Sequence, residues 1–243
     1  MSAKYDSIVD QYVAYASASP TRPVEVRTML QLAGRIEGCD VLDLACGSGY
    51  YGREFLRHGA RSALGVDQSQ GMIDFARALS AHRGDDMIFE AHDILAMPFD
   101  GEYDIVLASY LFNYAKSLEE LRRMFEAVVP HVKRGGRLVI QTLNPDFRLA
   151  MGNYAAYGVK VLEEVPWQQG ARLQLEFPGS PPAQITNYRW ERDHYEWAAR
   201  LAGFSTSHWH EPTLQEADIA ARSPGYWEGY VHNCMSVNLL CTR

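Results

Sequence analysis

Residues 41–52 read Val-Leu-Asp-Leu-Ala-Cys-Gly-Ser-Gly-Tyr-Tyr-Gly, and this stretch decides the fold of the chain. A short apolar run ends at Asp43 and then turns through a glycine-rich loop into a predicted helix. Gly52 completes the spacing G-x-G-x-x-G. Asp67 follows Gly47 at the separation where nucleotide-binding α/β proteins place a carboxylate for the ribose hydroxyls. The stretch therefore predicts a nucleotide-type ligand at the edge of a parallel sheet.

Asp43 separates two kinds of nucleotide ligand. The pyrophosphate of a dinucleotide docks on backbone N–H groups at a helix N-terminus, and a carboxylate facing it there would repel it. A sulfonium amino acid with a free ammonium group would be attracted instead. In that case Gly47 and Gly49 form the floor of the site, and Gly52 says little about which ligand binds.

The composition fits one α/β domain without a large nucleic-acid surface. The chain has 243 residues, of which 47% are hydrophobic, and its net charge of −7 is opposite to that of typical nucleic-acid binders. The four cysteines form no C-x-x-C pair, so no metal site is expected and a reducing cytoplasm is predicted. No signal-peptide core or membrane-spanning run is visible. We expect a cytoplasmic monomer or homodimer with no nucleic-acid or membrane partner.

Strands alternate with helices through the first half of the chain. The predicted strands lie at 40–44, 63–67, 87–91, 103–108 and 137–142, and the predicted helices between them at 50–58, 71–81 and 118–129. This alternation predicts a doubly wound, Rossmann-like, mostly parallel sheet. Two further segments, 204–210 and 237–241, are predicted as an antiparallel pair. The fold class is therefore α/β, with a seven-stranded sheet, an antiparallel last strand and an insertion after strand five.

Five segments, in this order, resemble the class I S-adenosylmethionine-dependent methyltransferases. Asp43-Leu-Ala-Cys-Gly-Ser-Gly49 is similar to the first motif of that family, and Gly65-Val-Asp67 to the second. His92-Asp93-Ile94 resembles the segment that reads the adenine. Tyr103-Asp104-Ile-Val106 is similar to the fourth-strand region, and Gly135-Gly136-Arg-Leu138 to the loop before strand five. The resemblance covers about residues 39–142.

The resemblance implies a cofactor, S-adenosyl-L-methionine, which leaves as S-adenosyl-L-homocysteine. Asp43 would face its ammonium group, Asp67 would accept hydrogen bonds from the ribose hydroxyls, and Met72 would pack on the adenine. The cofactor-binding residues implied in this way are Tyr12, Arg27, Asp43, Ala45, Gly47, Ser48, Gly49, Asp67, Gln68, Met72, Asp93, Ile94 and Ser109.

The same resemblance suggests how the single domain, residues 1–243, is divided. Residues 1–34 would form an N-terminal helical cap and residues 35–144 the cofactor-binding core. Residues 145–190 hold prolines and aromatic residues without a clear period, apart from short strands at 171–177 and 185–190, and would cover the substrate. Residues 191–243 would supply a helix and the closing strands.

Three shorter segments look like small-molecule methyltransferases of the toxoflavin synthase type, which methylate ring nitrogens of an azapteridine. These segments are Tyr5-Asp-Ser-Ile8, Leu111-Phe-Asn-Tyr114 and Asn144-Pro-Asp-Phe147. They imply a heterocyclic secondary metabolite as the acceptor. The implied substrate-binding residues are Tyr5, Asn113, Tyr114, Asn144, Phe147, Trp190 and Trp227.

Methyl transfer from a sulfonium is an in-line displacement, so the protein mainly aligns the nucleophile and excludes water. A general base is needed only for an acceptor that is protonated at working pH. The candidate bases are Tyr5, Asp146, His208, His210 and His232. Because an acidic N–H can ionise unaided, we expect that none of these five alone is essential.

Other functions remain open. A small-molecule O-methyltransferase would use the same cofactor motifs. An NAD-type oxidoreductase shares G-x-G-x-x-G but leaves Asp43 unexplained. A nucleic-acid methyltransferase is disfavoured by the acidic charge and by Ser109-Tyr-Leu-Phe112 after strand four, and a catalytically inactive cofactor-binding protein by the intact motifs.

Overall fold

A seven-stranded sheet forms the centre of the computed structural model, which describes residues 8–98 and 101–243. Its strands are β1 (Asp40–Leu44), β2 (Ser62–Asp67), β3 (Ile88–Ala91), β4 (Tyr103–Ser109), β5 (Val132–Leu143), β9 (Thr206–His210) and β10 (Ser236–Thr242). A second sheet consists of β6 (Lys160–Trp167), β7 (Gly170–Phe177) and β8 (Ala183–Arg189). The α-helices are α1 (Val9–Ala18), α2 (Arg22–Ala33), α3 (Tyr50–Arg57), α4 (Gln70–Arg83), α5 (Leu118–Val128), α6 (Arg192–Ala202), α7 (Glu216–Ala220) and α8 (Glu228–His232).

The strand order of the large sheet is β3-β2-β1-β4-β5-β10-β9. The first five strands pair in parallel, and β10 is antiparallel to both of its neighbours. The chain leaves β1 toward β2 on one side and returns to β4 on the other, which creates a crevice at the carboxyl ends of β1 and β4. The predicted seven-stranded, doubly wound α/β fold is confirmed.

Local sequence explains the elements around this crevice. Residues Ile105 to Ala108 of β4 are completely buried, as expected for a strand covered by helices on both faces. Ser69 accepts a hydrogen bond from the backbone N–H of Met72 and begins α4, while Ser117 accepts one from Glu120 and begins α5. Both predicted helix starts are confirmed.

Strand β5 is longer than predicted. It begins at Val132 rather than at residue 137, and Gly135-Gly136 lies inside an irregular stretch instead of a turn before the strand. A Cβ on Gly136 would lie 2.8 Å from the carbonyl oxygen of Lys133. The glycines therefore permit a bulge that bends the strand without ending it.

The small antiparallel sheet contains one strand, β6, that the sequence pattern did not predict. Two acidic residues and Pro166 interrupt its apolar residues, and a register shift between Val161 and Glu163 breaks the two-residue alternation. Strand β7 alternates regularly between buried and partly exposed residues, and its buried side chains join a second core. Tyr15 of α1 stacks on Phe177 of β7, with ring centroids 4.5 Å apart. The N-terminal helix and the small sheet thus cover the crevice together.

No helix in the described part of the chain has the length and apolarity needed to cross a membrane.

Candidate functional site

A cavity of about 580 Å³, called the cleft below, opens at the carboxyl ends of β1, β2 and β4. Nine of the predicted cofactor residues line it: Tyr12, Ala45, Gly47, Asp67, Gln68, Met72, Asp93, Ile94 and Ser109. Its outer end is bounded by residues of α5, its preceding loop and the small sheet: Lys116, Glu120, Met124, Arg172, Thr186 and Tyr188. The chain therefore places its predicted cofactor residues around one space of ligand size.

The glycine-rich loop uses its glycines in different ways. Gly47 has a φ of +52° and lies on the cleft, where a Cβ would sit 3.6 Å from the ring of Tyr12. Gly49 has a φ of +76°, and a Cβ there would lie 2.6 Å from the ring of Phe89. Gly49 and Ser48 do not line the cleft, so Gly47 alone of this group provides its floor, and Gly49 permits close packing behind it.

Two non-glycine residues of the cleft wall also adopt left-handed backbone conformations. Ala45 follows β1 with a φ of +53°, and Tyr110 follows β4 with a φ of +54°. The Tyr110 N–H donates to the carbonyl of Gln141 at 2.7 Å, which helps to hold this conformation. Such conformations cost about 1–3 kcal/mol each and concentrate at functional sites. Strain at both adjoining strand ends marks this edge of the sheet as the site.

Asp67 is held in one orientation at the end of β2. Its Oδ2 accepts a hydrogen bond from the Gly47 N–H at 3.0 Å, and its Oδ1 accepts one from the Ser69 N–H at 2.9 Å. These two backbone donors fix the orientation of the Asp67 carboxylate on the wall of the cleft.

Asp43 lies behind the wall of the cleft rather than on its surface. The Gly52 N–H donates to its Oδ2 at 2.9 Å, and its Oδ1 is buried without a hydrogen-bond partner within residues 8–98 and 101–243. Burial raises the pKa of Asp43 to about 7, an effect that the Gly52 hydrogen bond only partly offsets. Gly52 therefore has a structural role that its spacing did not indicate, because its backbone N–H orients the Asp43 carboxylate.

The opposite wall is an apolar slot with a polar edge. Met72 and Ile94 are buried, and the Asp93 carboxylate, which accepts a hydrogen bond from the Leu95 N–H at 2.9 Å, stands at the exposed rim. His92 also lines the cleft. This arrangement suits a flat ring with hydrogen-bonding groups along one edge.

A second cavity of about 50 Å³, called the side pocket below, adjoins the cleft. The two cavities share the wall residues Tyr12, Ser109, Tyr110 and Tyr114. The side pocket continues between α1, α2 and the small sheet, and its polar wall residues include Glu25 and Asn187. The sequence pattern indicated neither of these two, because each follows the spacing of an ordinary buried helix or strand residue.

Arg27, a predicted cofactor residue, lies outside both cavities. Its guanidinium pairs with Asp218 at 2.5 Å and donates to the carbonyl of Thr213 at 3.1 Å. Arg22, one turn earlier in α2, lines the side pocket together with Tyr12. Of these two arginines of α2, Arg22 is therefore the one beside the side pocket.

The described candidate bases do not lie at the cleft. Asp146 is exposed and pairs with Arg192 at 2.8 Å. His208 and His210 belong to the outermost strand, β9, and His232 is exposed at the end of α8. Tyr5 lies outside the described residues.

Among the predicted substrate residues that the structure describes, only Tyr114 lines the cavities, and it lines both. Asn113, Phe147 and Trp227 are buried elsewhere. Asn144 donates to the carbonyl of Cys234 at 3.0 Å, and the indole of the fully buried Trp190 donates to that of Ala115 at 3.0 Å. The last two interactions fix the two ends of the insertion to the rest of the chain.

The segment that contains Gly47, Asp67 and Asp93 is similar to known proteins. The family model described as a methyltransferase domain matches residues 41–136. Residues 41–136 are therefore similar in sequence to a methyltransferase domain. The structure of an S-adenosylmethionine dependent methyltransferase from Mesorhizobium loti superposes with a TM-score of 0.63 at 24% identity, over 94% of this chain and all of that one. The architecture is therefore a methyltransferase fold.

Two curated relatives each match less than half of the chain. The ribosomal protein L11 methyltransferase of Dechloromonas aromatica is 36% identical over 104 residues, which are 43% of this chain and 32% of that protein. The ubiquinone biosynthesis O-methyltransferase of Coxiella burnetii is 28% identical over 114 residues, 46% of this chain and 47% of that protein. The chain thus spans about a third to a half of these relatives, whose names include both a protein and a small-molecule pathway.

Proposed function

We propose that this chain is an S-adenosylmethionine-dependent methyltransferase that acts on a small molecule. The observation that carries the proposal is the cleft at the switch point of the sheet, where Gly47 forms the floor and Asp67 is oriented by two backbone N–H groups. Ligands of doubly wound sheets bind at this position.

The residues present fit the proposed cofactor. Asp67 would hold the ribose hydroxyls, and the slot between Met72 and Ile94 would take the adenine. Oδ1 of Asp43, which has no hydrogen-bond partner among the described residues, would favour a cationic amino-acid portion near Gly47. The sulfonium methyl group that this cofactor carries when bound is already activated for transfer. The protein then has to align an acceptor and exclude water.

Three features support a small acceptor. Helix α1 and the small sheet cover the cleft, and the side pocket leaves little room beyond it. The net charge of −7 disfavours nucleic acid as a partner. Within the proposal, the acceptor atom is a ring nitrogen of a heterocyclic metabolite, as in the toxoflavin synthase type, with a hydroxyl oxygen as the alternative. The division into cap, core, cover and closing segments, with a monomer or homodimer as the working unit, belongs to the same proposal.

Binding of S-adenosylhomocysteine tests the cofactor assignment. Asp67→Asn should weaken its affinity by about tenfold to a hundredfold, because hydrogen bonds to a charged acceptor contribute roughly 1.5–3 kcal/mol. The affinity is measured by isothermal titration calorimetry, with the exposed Asp74→Asn as the matched control. Unchanged affinity in Asp67→Asn, or tight binding of NADH instead, would contradict the proposal.

A further inference from the structure

Glu25 is an acid buried at the side pocket. It lies in α2 and is only 6% exposed. Its hydrogen-bond partners in the described part of the chain are three hydroxyl groups: Thr21 at 3.1 Å and Tyr110 at 3.2 Å on Oε1, and Tyr51 at 3.4 Å on Oε2. Two donors on Oε1 and one on Oε2 leave acceptor capacity on Oε2. A buried carboxylate held by neutral donors alone is poised to accept another proton-bearing group.

The neighbouring phenols cannot replace Glu25 as proton acceptors. Burial, and then the negative charge of Glu25, raise the pKa values of Tyr51 and Tyr110 well above their usual range. Both phenols therefore stay protonated. Tyr110 donates to Glu25, while the single Tyr51 proton is shared between Gln141 Oε1 at 2.9 Å and Glu25 Oε2 at 3.4 Å. The carboxylate is the one strong acceptor that this network supplies to the pocket.

Asn187 supplies the complementary donor. It is 2% exposed, and its side-chain Nδ2 has no hydrogen-bond partner among the residues that the structure describes. It lies opposite Leu173 on the face of the small sheet that otherwise carries Ile185 and Leu175. An amide donor without a partner on an apolar face is destabilising, and a ligand that accepts its hydrogen bond would remove this cost.

The remaining walls are mainly apolar, with Ser19, Arg22 and Ser109 as the polar exceptions. Tyr15 and Phe177 stack on each other, and Tyr12 meets Phe177 edge-on with centroids 5.7 Å apart. Leu175 and Ile185 complete this surface. The pocket has room for about four water molecules. It therefore admits the edge of a planar ring rather than a whole large acceptor.

We propose that the side pocket binds the reacting edge of a planar lactam-type heterocycle, in which Glu25 accepts the ring N–H and Asn187 donates to the adjacent carbonyl. Glu25 is then the general base that the sequence candidates did not include. This inference rests on the proposed function, because the cleft that shares four wall residues with the pocket would hold the methyl donor.

The proposed reaction balances with these groups alone. The ring nitrogen uses its electron pair to bond to the methyl carbon, and the carbon–sulfur bond breaks with its electron pair remaining on sulfur. The proton of the ring nitrogen passes to the Glu25 carboxylate. The apolar walls strengthen the hydrogen bond that guides this proton.

Ligand-observed NMR titration in the presence of saturating S-adenosylhomocysteine tests the inference without turnover. The probes are 2-pyridone, uracil and 2-quinolone, each compared with its fully N-methylated counterpart. The wild-type protein should bind at least one parent ring about tenfold or more tightly than its N-methylated form. Glu25→Gln should reduce that preference to less than about threefold, and Asn187→Leu should weaken binding of the parent ring by about tenfold, because it removes the donor to the ring carbonyl. The exposed Glu37→Gln serves as the matched control and should retain it.

The outcomes separate this inference from the proposed function. Failure of the wild-type protein to bind S-adenosylhomocysteine would contradict the proposed function. Normal cofactor-product binding without binding of any lactam probe would overturn only the side-pocket inference. Retained preference in Glu25→Gln would also overturn it. For any probe that is methylated, Glu25→Gln should lower kcat by at least about a hundredfold, with the affinity for S-adenosylhomocysteine unchanged.

Discussion

Replacement of Asp43 by asparagine should stabilise the unliganded protein at alkaline pH. Burial raises the pKa of this carboxyl from 3.8 to about 7. Below the lower value the carboxyl is protonated in both folded and unfolded chains. As the pH rises through the higher value, the folded state must ionise a buried group, and its stability falls. Three pKa units at about 1.4 kcal/mol each make this cost about 4 kcal/mol above pH 7.

The pH dependence of the stability follows from the pKa values of Asp43 in the unfolded and folded chains. Asp43 should destabilise the wild-type fold by about 1.5 kcal/mol at pH 5 and about 4 kcal/mol at pH 8. Asp43→Asn keeps an oxygen for the Gly52 N–H but carries no charge, so its stability should lack this decline. Urea unfolding from pH 5 to pH 8 measures the difference in free energy of unfolding between the variant and the wild-type protein. At pH 8 this difference corresponds to a Tm that is roughly 10 °C higher in the variant.

The control is Asp86→Asn, which removes an exposed carboxylate. Its stability curve should remain parallel to that of the wild-type protein. If the Asp43→Asn curve is also parallel, the buried charge is compensated in a way that the described contacts do not show. The explanation of the raised pKa by burial would then be refuted.

Two further substitutions distinguish structural residues from ligand-binding ones. Arg27→Gln should cost about 1 kcal/mol in urea unfolding, because it breaks a partly buried ion pair with Asp218, and should leave S-adenosylhomocysteine affinity within twofold; a tenfold loss of affinity would return Arg27 to the cofactor site. Trp190→Phe should cost roughly 2–4 kcal/mol, because it leaves the Ala115 carbonyl unpaired and opens a cavity. Unchanged stability of that variant, combined with weaker acceptor binding, would support the substrate role instead.

The sequence predicted well those parts of the molecule that local pattern specifies. The unbroken apolar run of β4 and the serine caps of α4 and α5 each determine structure within a few residues. Gly47 and Asp67 belong to one short segment between β1 and the end of β2, so their spacing reflects a real hydrogen bond of 3.0 Å. The sequence spacing predicts the contact between Gly47 and Asp67 because the two residues are near each other both in the chain and in the fold.

The side pocket could not be predicted in this way. Glu25 lies on a helix near the start of the chain and Asn187 on a strand of the insertion, and only the packing of α1 and α2 against the small sheet gives them a common cavity. Strand β6 was missed because Glu163, Glu164 and Pro166 hide its alternation. His208 and His210 are candidates only because an imidazole can act as a general base. Strand β9 places both at the outer edge of the sheet.

Two side-chain hydrogen bonds attach the ends of the insertion to the rest of the chain. Asn144 ties its beginning to the Cys234 carbonyl, and Trp190 ties its end to the Ala115 carbonyl. Between these anchors, β6 to β8 pair only with one another, while the loop around Gly47 belongs wholly to the central sheet. Exchange of residues 145–189 would therefore alter the side pocket through Asn187 and the outer end of the cleft through Arg172, Thr186 and Tyr188, while the inner part of the cleft around Gly47 and Asp67 would stay unchanged.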